Sequence, residues 1–225
     1  MKRRTPDSSV GKRSFPTLII SAQLRESSRV LAATAGQAPE IARAASILLA
    51  ALRKGRRIIT FGNGGSACDA QNFAAELVGR YARNRPPIDA VALTVNTSNL
   101  TAIANDFGYE EVFRRQLAAL GRAGDAAVAI STSGDSPNVL LAVSAARRMG
   151  IRTIGLAGAR GGKLKALVDV CVRVPSDTVA RIQEAHITIL QIWASIIEDA
   201  LYPISRASHT GRRALRGPAG SRNSP

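Results

Sequence analysis

Aromatic residues are scarce in this chain, making up only 4% of its 225 residues. Hydrophobic residues still reach 45%, so the core must be built mainly from Ala, Val, Ile and Leu. Such side chains favour tight packing of helices on a sheet. No stretch of about 18 uncharged apolar residues occurs, and we therefore expect no membrane-spanning segment.

Cysteine and histidine are also rare, with two residues of each. Cys68 and Cys171 are too few for a disulfide framework, which favours reduced thiols in a cytoplasmic protein. The amino end is basic but has no apolar stretch before Pro16, so it does not predict a secretory signal. We therefore predict a cytoplasmic location.

Acidic residues are outnumbered by basic ones, and the formal net charge is +15. Residues 1–15 carry +4 and residues 204–225 carry +5, which leaves +6 for the chain between them. Both ends are rich in Ser, Gly, Pro and Arg, and we predict disordered basic arms at 1–15 and 204–225 around one domain at 16–203. Basic arms can hold nucleic acid non-specifically, but without a binding motif or interleaved aromatics we do not expect a nucleic-acid partner.

Short apolar runs alternate with helical patterns between these arms. Strands are predicted at 57–61, 89–93, 126–130, 153–156 and 168–174, a helix at 66–81 after the first strand, and the last helix at 178–201. The third run is entirely apolar, as in a parallel strand covered on both faces. The alternation predicts an α/β fold, a three-layer αβα sandwich around a doubly wound parallel sheet.

Two loops that each join a strand to a helix are rich in glycine and hydroxyl residues. Ligands of parallel sheets bind at the carboxyl ends of the strands, where both loops lie. Glycine allows close backbone approach, and the N–H groups of a helix start attract anions. The hydroxyls add donors, and four of them fall within six positions, whereas a helix cap needs only one. The pattern predicts a phosphate site on Asn63, Gly64, Gly65, Ser66, Ser131, Thr132, Ser133 and Ser136.

Nucleotide binding is a weaker interpretation of the same loops. The P-loop pattern with its lysine is missing. Residues 62–67 fit the loose dinucleotide form G-x-G-x-x-A, but the next strand ends at Leu93 to Asn96 without the acid that holds a ribose. A sugar phosphate is therefore the favoured ligand.

These two loops, together with Ala104-Asn105-Asp106-Phe107-Gly108 and Arg181-Ile182-Gln183-Glu184, resemble the phosphoheptose isomerase branch of the sugar isomerase (SIS) domain family. The order and spacing match over about residues 17–203. The resemblance implies a five-stranded parallel sheet and a homotetramer. It also implies conversion of D-sedoheptulose 7-phosphate into D-glycero-D-manno-heptose 7-phosphate, with Asn105, Asp106 and Gln183 in the substrate site.

Isomerisation of this kind moves a proton between C1 and C2 through an enediol, which requires proton-transfer groups. The resemblance implies Glu76 as the base. Zinc-binding members have a histidine four residues before this glutamate, where this chain has Asn72, and a second one at the position of Gln191. An amide oxygen is a poor zinc ligand and cannot titrate near neutrality. We therefore expect no firm cofactor; any zinc would have to use Glu76 and Gln183, and the catalytic role of Gln191 is in question.

Three functional hypotheses follow. The first is an active phosphoheptose-type isomerase, in which His186 is a candidate replacement acid/base, although packing in the core is the commoner role for such a residue. The second is a non-catalytic SIS protein that binds a protein partner, as a bacterial relative binds the replication initiator, because both family histidines are replaced. The third is a sugar-phosphate sensor whose basic arms engage nucleic acid.

Overall fold

The computed structural model describes residues 15–203. Residues 1–14 of the first predicted arm and the whole second arm lie outside the described residues, whereas Phe15 begins the first helix. Two helices come first, α1 (Phe15–Thr34) and α2 (Ala38–Arg53), joined by a short 3-10 turn. The sheet and the remaining helices follow as β1 (Ile58–Gly62), α3 (Gly65–Val78), β2 (Ala90–Ala92), α4 (Thr97–Phe107), α5 (Val112–Leu120), β3 (Ala126–Ile130), α6 (Pro137–Arg148), β4 (Arg152–Ala157), α7 (Leu164–Leu167), β5 (Val170–Arg173) and α8 (Val179–Leu201).

The five strands form one parallel sheet in the order β2-β1-β3-β4-β5. This confirms the predicted sheet. The chain leaves β1 for β2 on one side and later returns to β3 on the other side. The register pairs Gly62 with Ile130, so the loops after β1 and β3 begin side by side. This reversal of strand order is where open parallel sheets bind their ligands.

Helices cover both faces of the sheet, which confirms the three-layer sandwich. Successive strand residues alternate between two buried clusters: Ala126 and Val128 pack toward α2, α3 and α8, whereas Ala127 and Ala129 pack toward α5 and α6. The small side chains of β3 allow close approach of both helical layers. Among residues 15–203, no helix is both long and apolar enough to span a membrane.

The fold departs from the prediction at the end of α3. The helix was predicted to reach Tyr81 but ends at Val78, before Gly79. The chain then turns over Glu198 of α8, whose carboxylate accepts hydrogen bonds from the backbone N–H groups of Tyr81, Ala82 and Arg83. The Glu198 carboxylate thus supplies the hydrogen-bond acceptors that the carbonyl groups of another helical turn would have supplied.

Glu198 also pairs with Arg85, whose side chain is 2% exposed. Burial by itself would raise the pKa of Glu198, but the hydrogen bonds from Ala82, Arg83 and Tyr81, together with the Arg85 guanidinium, hold it below its ordinary value. The Arg85 guanidinium in turn donates to the backbone oxygens of Glu76 and Leu77. The ion pair therefore fixes the carboxyl end of α3 to α8.

Replacing Glu198 with alanine is expected to lower the free energy of unfolding by about 3 kcal/mol, because Arg85 then remains buried without its partner. Urea denaturation at neutral pH measures this loss. Asp199→Ala is the matched control, since Asp199 pairs with Arg83 at the surface and should cost less than about 1 kcal/mol. Equal losses of unfolding free energy in the two variants would contradict the assignment of Glu198 as the partner that the buried Arg85 needs.

Candidate functional site

The two predicted phosphate loops meet at the carboxyl edge of the sheet. Asn63, after β1, and Asn138, in the first turn of α6, form a reciprocal amide pair: Nδ2 of each donates to Oδ1 of the other over 2.9 Å. The Tyr109 hydroxyl donates to the same Asn63 oxygen over 3.2 Å. The loop after β1 is therefore joined through side chains to the start of α6, directly after the second loop.

Hydroxyl groups cluster in the loop after β3. The Ser131 Oγ lies 2.9 Å from the Ser136 Oγ and 3.4 Å from the Ser133 Oγ, and it accepts a hydrogen bond from the Gly134 N–H. Gly134 has φ +73°, and a Cβ there would lie 2.1 Å from the Gly161 oxygen. Only glycine therefore allows this loop to pack against the loop after β4.

Ser66 lies in the first turn of α3 and is buried, beside the glycines that begin the helix. Gly64 precedes the helix with φ +56°. Gly65 and the side chain of Gln183 are in such close contact that a Cβ on Gly65 would lie 2.2 Å from the Gln183 Nε2. Gln183 of α8 is thus held against the predicted phosphate loop.

Thr132 faces a neighbouring cavity of about 260 Å³. Ser133 and Asp135 of the same loop also line it, and the exposed ion pair of Arg160 and Asp177 lies at its side. The cavity extends the hydroxyl-rich loop toward the beginning of α8. It offers space for a polar ligand next to the predicted phosphate position.

Glu76 and both amides that replace the family histidines come together further along α3. The Gln191 Nε2 donates to the Asn72 Oδ1 over 2.8 Å and to the Glu76 Oε1 over 3.3 Å. Asn72 and Glu76 are one helical turn apart on α3, and Gln191 reaches both from α8. Glu76 is half-buried, which leaves its carboxylate accessible to a ligand.

Asn105 and Asp106 occupy the exposed end of α4. The Asn105 Nδ2 donates to the Asp106 Oδ1 over 2.8 Å. The chain continues from them into Tyr109, which contacts Asn63. Asp106 thus lies three residues before Tyr109, which contacts the loop after β1. The assignment of Asn105 and Asp106 to the substrate site stays a prediction.

Two site residues were missed by the sequence analysis, Asn138 and Tyr109. Asn138 follows the serine cluster by two residues, and this short spacing was the available signal. Tyr109 gave no signal, because its contact with Asn63 spans 46 positions of sequence. His186, by contrast, is completely buried, and burial lowers its pKa to about 4. The structure therefore favours the packing interpretation of His186 over an acid/base role.

Comparison with known proteins agrees with this geometry. A family model described as SIS domain matches residues 23–158. A phosphoheptose isomerase from Rhodospirillum rubrum is 52% identical over 164 residues, which cover 73% of this chain and 87% of that protein.

Two solved structures share the fold over nearly their whole length. The phosphoheptose isomerase from Francisella tularensis has a TM-score of 0.80 at 36% identity, covering 83% of this chain and 100% of that one. The enzyme from Neisseria gonorrhoeae has a TM-score of 0.76 at 43% identity, covering 80% and 97%. The chain therefore belongs to the SIS domain family.

Proposed function

We propose that this chain is a phosphoheptose isomerase that converts D-sedoheptulose 7-phosphate into D-glycero-D-manno-heptose 7-phosphate. The observation that carries the proposal is that one helix connects both parts of the site: α3 begins at the hydroxyl-lined loops and carries Glu76 further along. Relatives that are about half identical over most of their length are named phosphoheptose isomerases. They do not favour the non-catalytic alternative.

The length of this helix segment suits a long sugar. Ser66 and Glu76 are ten residues apart, which corresponds to about 15 Å along a helix, and the Glu76 side chain tilts back toward the helix start. A heptulose 7-phosphate carries its phosphate at one end and its reacting carbons, C1 and C2, at the other. The loops would then hold the phosphate while Glu76 faces the reacting end.

The reaction needs a base that removes a carbon-bound proton and returns it to the neighbouring carbon of the enediol. Glu76 can do both, because its carboxylate accepts the proton from C1 and, once protonated, donates it to C2. The hydroxyl proton on O1 passes to O2 between the adjacent oxygens of the enediolate, because the neutral amides beside Glu76 cannot take it up or release it. The Gln191 amide holds the Oε1 atom and leaves the Oε2 atom for the substrate. Gln183, against Gly65, and the amide pair of Asn63 and Asn138 are placed to hold the sugar hydroxyls between the two ends.

Glu76→Gln tests the base directly. The carboxamide keeps the shape of the side chain but cannot accept the proton, so we expect kcat to fall by about 10²–10⁴-fold with KM little changed. The assay follows consumption of sedoheptulose 7-phosphate by NMR. Glu40→Gln, at the start of α2, is the control for loss of one charge. Undiminished turnover in Glu76→Gln, or no wild-type product at high enzyme with and without divalent metal, would refute the proposal.

Ser136→Ala tests the phosphate loop. Losing a hydroxyl donor to a charged phosphate costs about 1.5–3 kcal/mol, which corresponds to an increase in KM of about tenfold or more. The Kd of inorganic phosphate, measured by calorimetry, should rise in parallel. Ser144→Ala, in the helix α6 that follows Ser136, is the matched control, because the Ser144 hydroxyl donates to the Leu140 backbone oxygen within α6. An unchanged KM in Ser136→Ala would argue against this position for the phosphate.

We also propose that the chain assembles as a homotetramer through its first helix. Large apolar side chains at the start of α1 are exposed, including Phe15 (76%), Leu18 (52%) and Ile20 (58%). A mostly apolar groove of about 400 Å³ also lies between the carboxyl end of α1, α2 and α8. Exposed apolar surfaces of this kind mark interaction sites, and we propose that other copies of the chain cover this one.

Light scattering on the purified chain should therefore give four times the chain mass of 23.7 kDa. Leu24→Glu places a charge on the exposed apolar surface of α1 and should shift the mass toward smaller species. Ala123→Glu, exposed in the loop before the central strand β3, should leave the mass unchanged. A wild-type monomer at micromolar concentration would overturn the proposal. A protein partner and the cytoplasmic location stay predictions.

A further inference from the structure

The residues at the four family metal positions form an unusual donor set in this chain. They are Asn72, Glu76, Gln183 and Gln191, one carboxylate and three neutral amides. Hydrogen bonds bring Asn72, Glu76 and Gln191 together, whereas the side chain of Gln183, predicted as a zinc ligand beside Glu76, lies against Gly65 at the start of α3. Protein zinc sites use thiolates, imidazoles and carboxylates. Within residues 15–203, no group of three or more His, Cys, Asp or Glu side chains is arranged to hold a metal ion. The residues present therefore do not fit zinc.

The hydrogen bonds at this point explain what the amides do instead. A glutamate carboxylate at neutral pH only accepts hydrogen bonds, so Gln191 must present its NH₂ group to Glu76. The second proton of the same NH₂ group goes to the Asn72 Oδ1, which lies 2.8 Å away. The orientation of all three side chains is thus fixed by matching donors to acceptors, with Gln191 at the centre.

A metal ion at this centre would require the opposite arrangement. The Gln191 nitrogen lies 2.8 Å from the Asn72 oxygen and 3.3 Å from the Glu76 oxygen, so it already satisfies the two oxygens that would serve as ligands. Binding a cation there would mean breaking both hydrogen bonds and turning the Gln191 amide by half a turn. Asn72 and Gln191, the two replacements of family histidines, act together, because Asn72 supplies the acceptor that the second proton of the Gln191 amide needs.

We propose that this chain is a metal-independent isomerase. In it, Gln191, oriented by Asn72, holds Glu76 in position, in place of the metal of zinc-binding relatives. The inference rests on the proposed function for its catalytic meaning, but metal occupancy tests it separately. Gln191 is a positioning residue, since it acts on the substrate through Glu76.

The first test measures zinc in the full-length chain by mass spectrometry after incubation with zinc and dialysis. We expect the wild type and Glu76→Gln to retain equally little zinc. The double variant Asn72→His, Gln191→His restores two imidazoles and should retain about one zinc per chain. Adding Glu76→Gln to the double variant should remove it, which ties the ion to this site. One zinc per wild-type chain that is lost on Glu76→Gln would overturn the proposal.

The second test concerns turnover. Wild-type activity should be unchanged by a chelator and by added zinc; activity that disappears with the chelator and returns with zinc contradicts the proposal. A chain without turnover under any condition refutes the proposed function, whereas the zinc measurement still decides whether the site binds metal.

Gln191→Met separates positioning from folding. Methionine fills a similar volume without donors, so we expect kcat to fall on the order of tenfold or more, while KM and the melting temperature change little. Equal kcat in Gln191→Met and the wild type would show that the amide does not position Glu76. A parallel loss of melting temperature and kcat would assign Gln191 a structural role instead.

Discussion

The parallel packing of α3 against α8 is the contact on which the site depends. Three levels of contact run along it: Gln183 against Gly65, Gln191 against Glu76, and Glu198 beneath the turn that follows α3. Near the middle level, the rings of Phe73 and Trp193 pack with centroids 6.2 Å apart. Because the buried ion pair of Glu198 fixes one end, a shift of α8 along α3 would displace both glutamines at once.

The second constraint is the distance between the loops after β1 and β3, which the sheet sets. Adjacent parallel strands lie about 4.8 Å apart, close enough for the side chains of Asn63 and Asn138 to pair. The pair is neutral and uses both donors and acceptors in a matched way, so it joins the loops without adding charge. A cradle lined by hydroxyls and amides would hold the proposed phosphate without a fixed cation and allow its release. The net positive charge of the domain can attract the anion from a distance.

The sequence was sufficient for the elements that bury apolar runs, and for the loops that follow them. All five strands were predicted within about two residues, because an apolar run flanked by glycine has few other uses in an α/β chain. The four-residue α7 and the early end of α3 were not predicted, since a single helical turn has no periodicity and the partner of residues 81–83 is Glu198, more than a hundred positions away. The strand order and the contacts of Asn138 and Tyr109 likewise depend on long-range packing. The convergence of Asn72, Glu76 and Gln191 was suggested only by resemblance to a family.

Asn72 and Gln191, which replace the two family histidines, show why the two substitutions must be considered together. A single histidine replaced by an amide would leave an imidazole beside a poor ligand, which weakens metal binding and gains no defined hydrogen bond. Replacing both creates a new complementary set, in which one acceptor, one donor group and one carboxylate close on each other. Such a set keeps the base oriented by the same two helices that would otherwise supply the ligands. The loss of imidazoles is therefore compatible with retained catalysis, because orientation of Glu76 passes from coordination to hydrogen bonding.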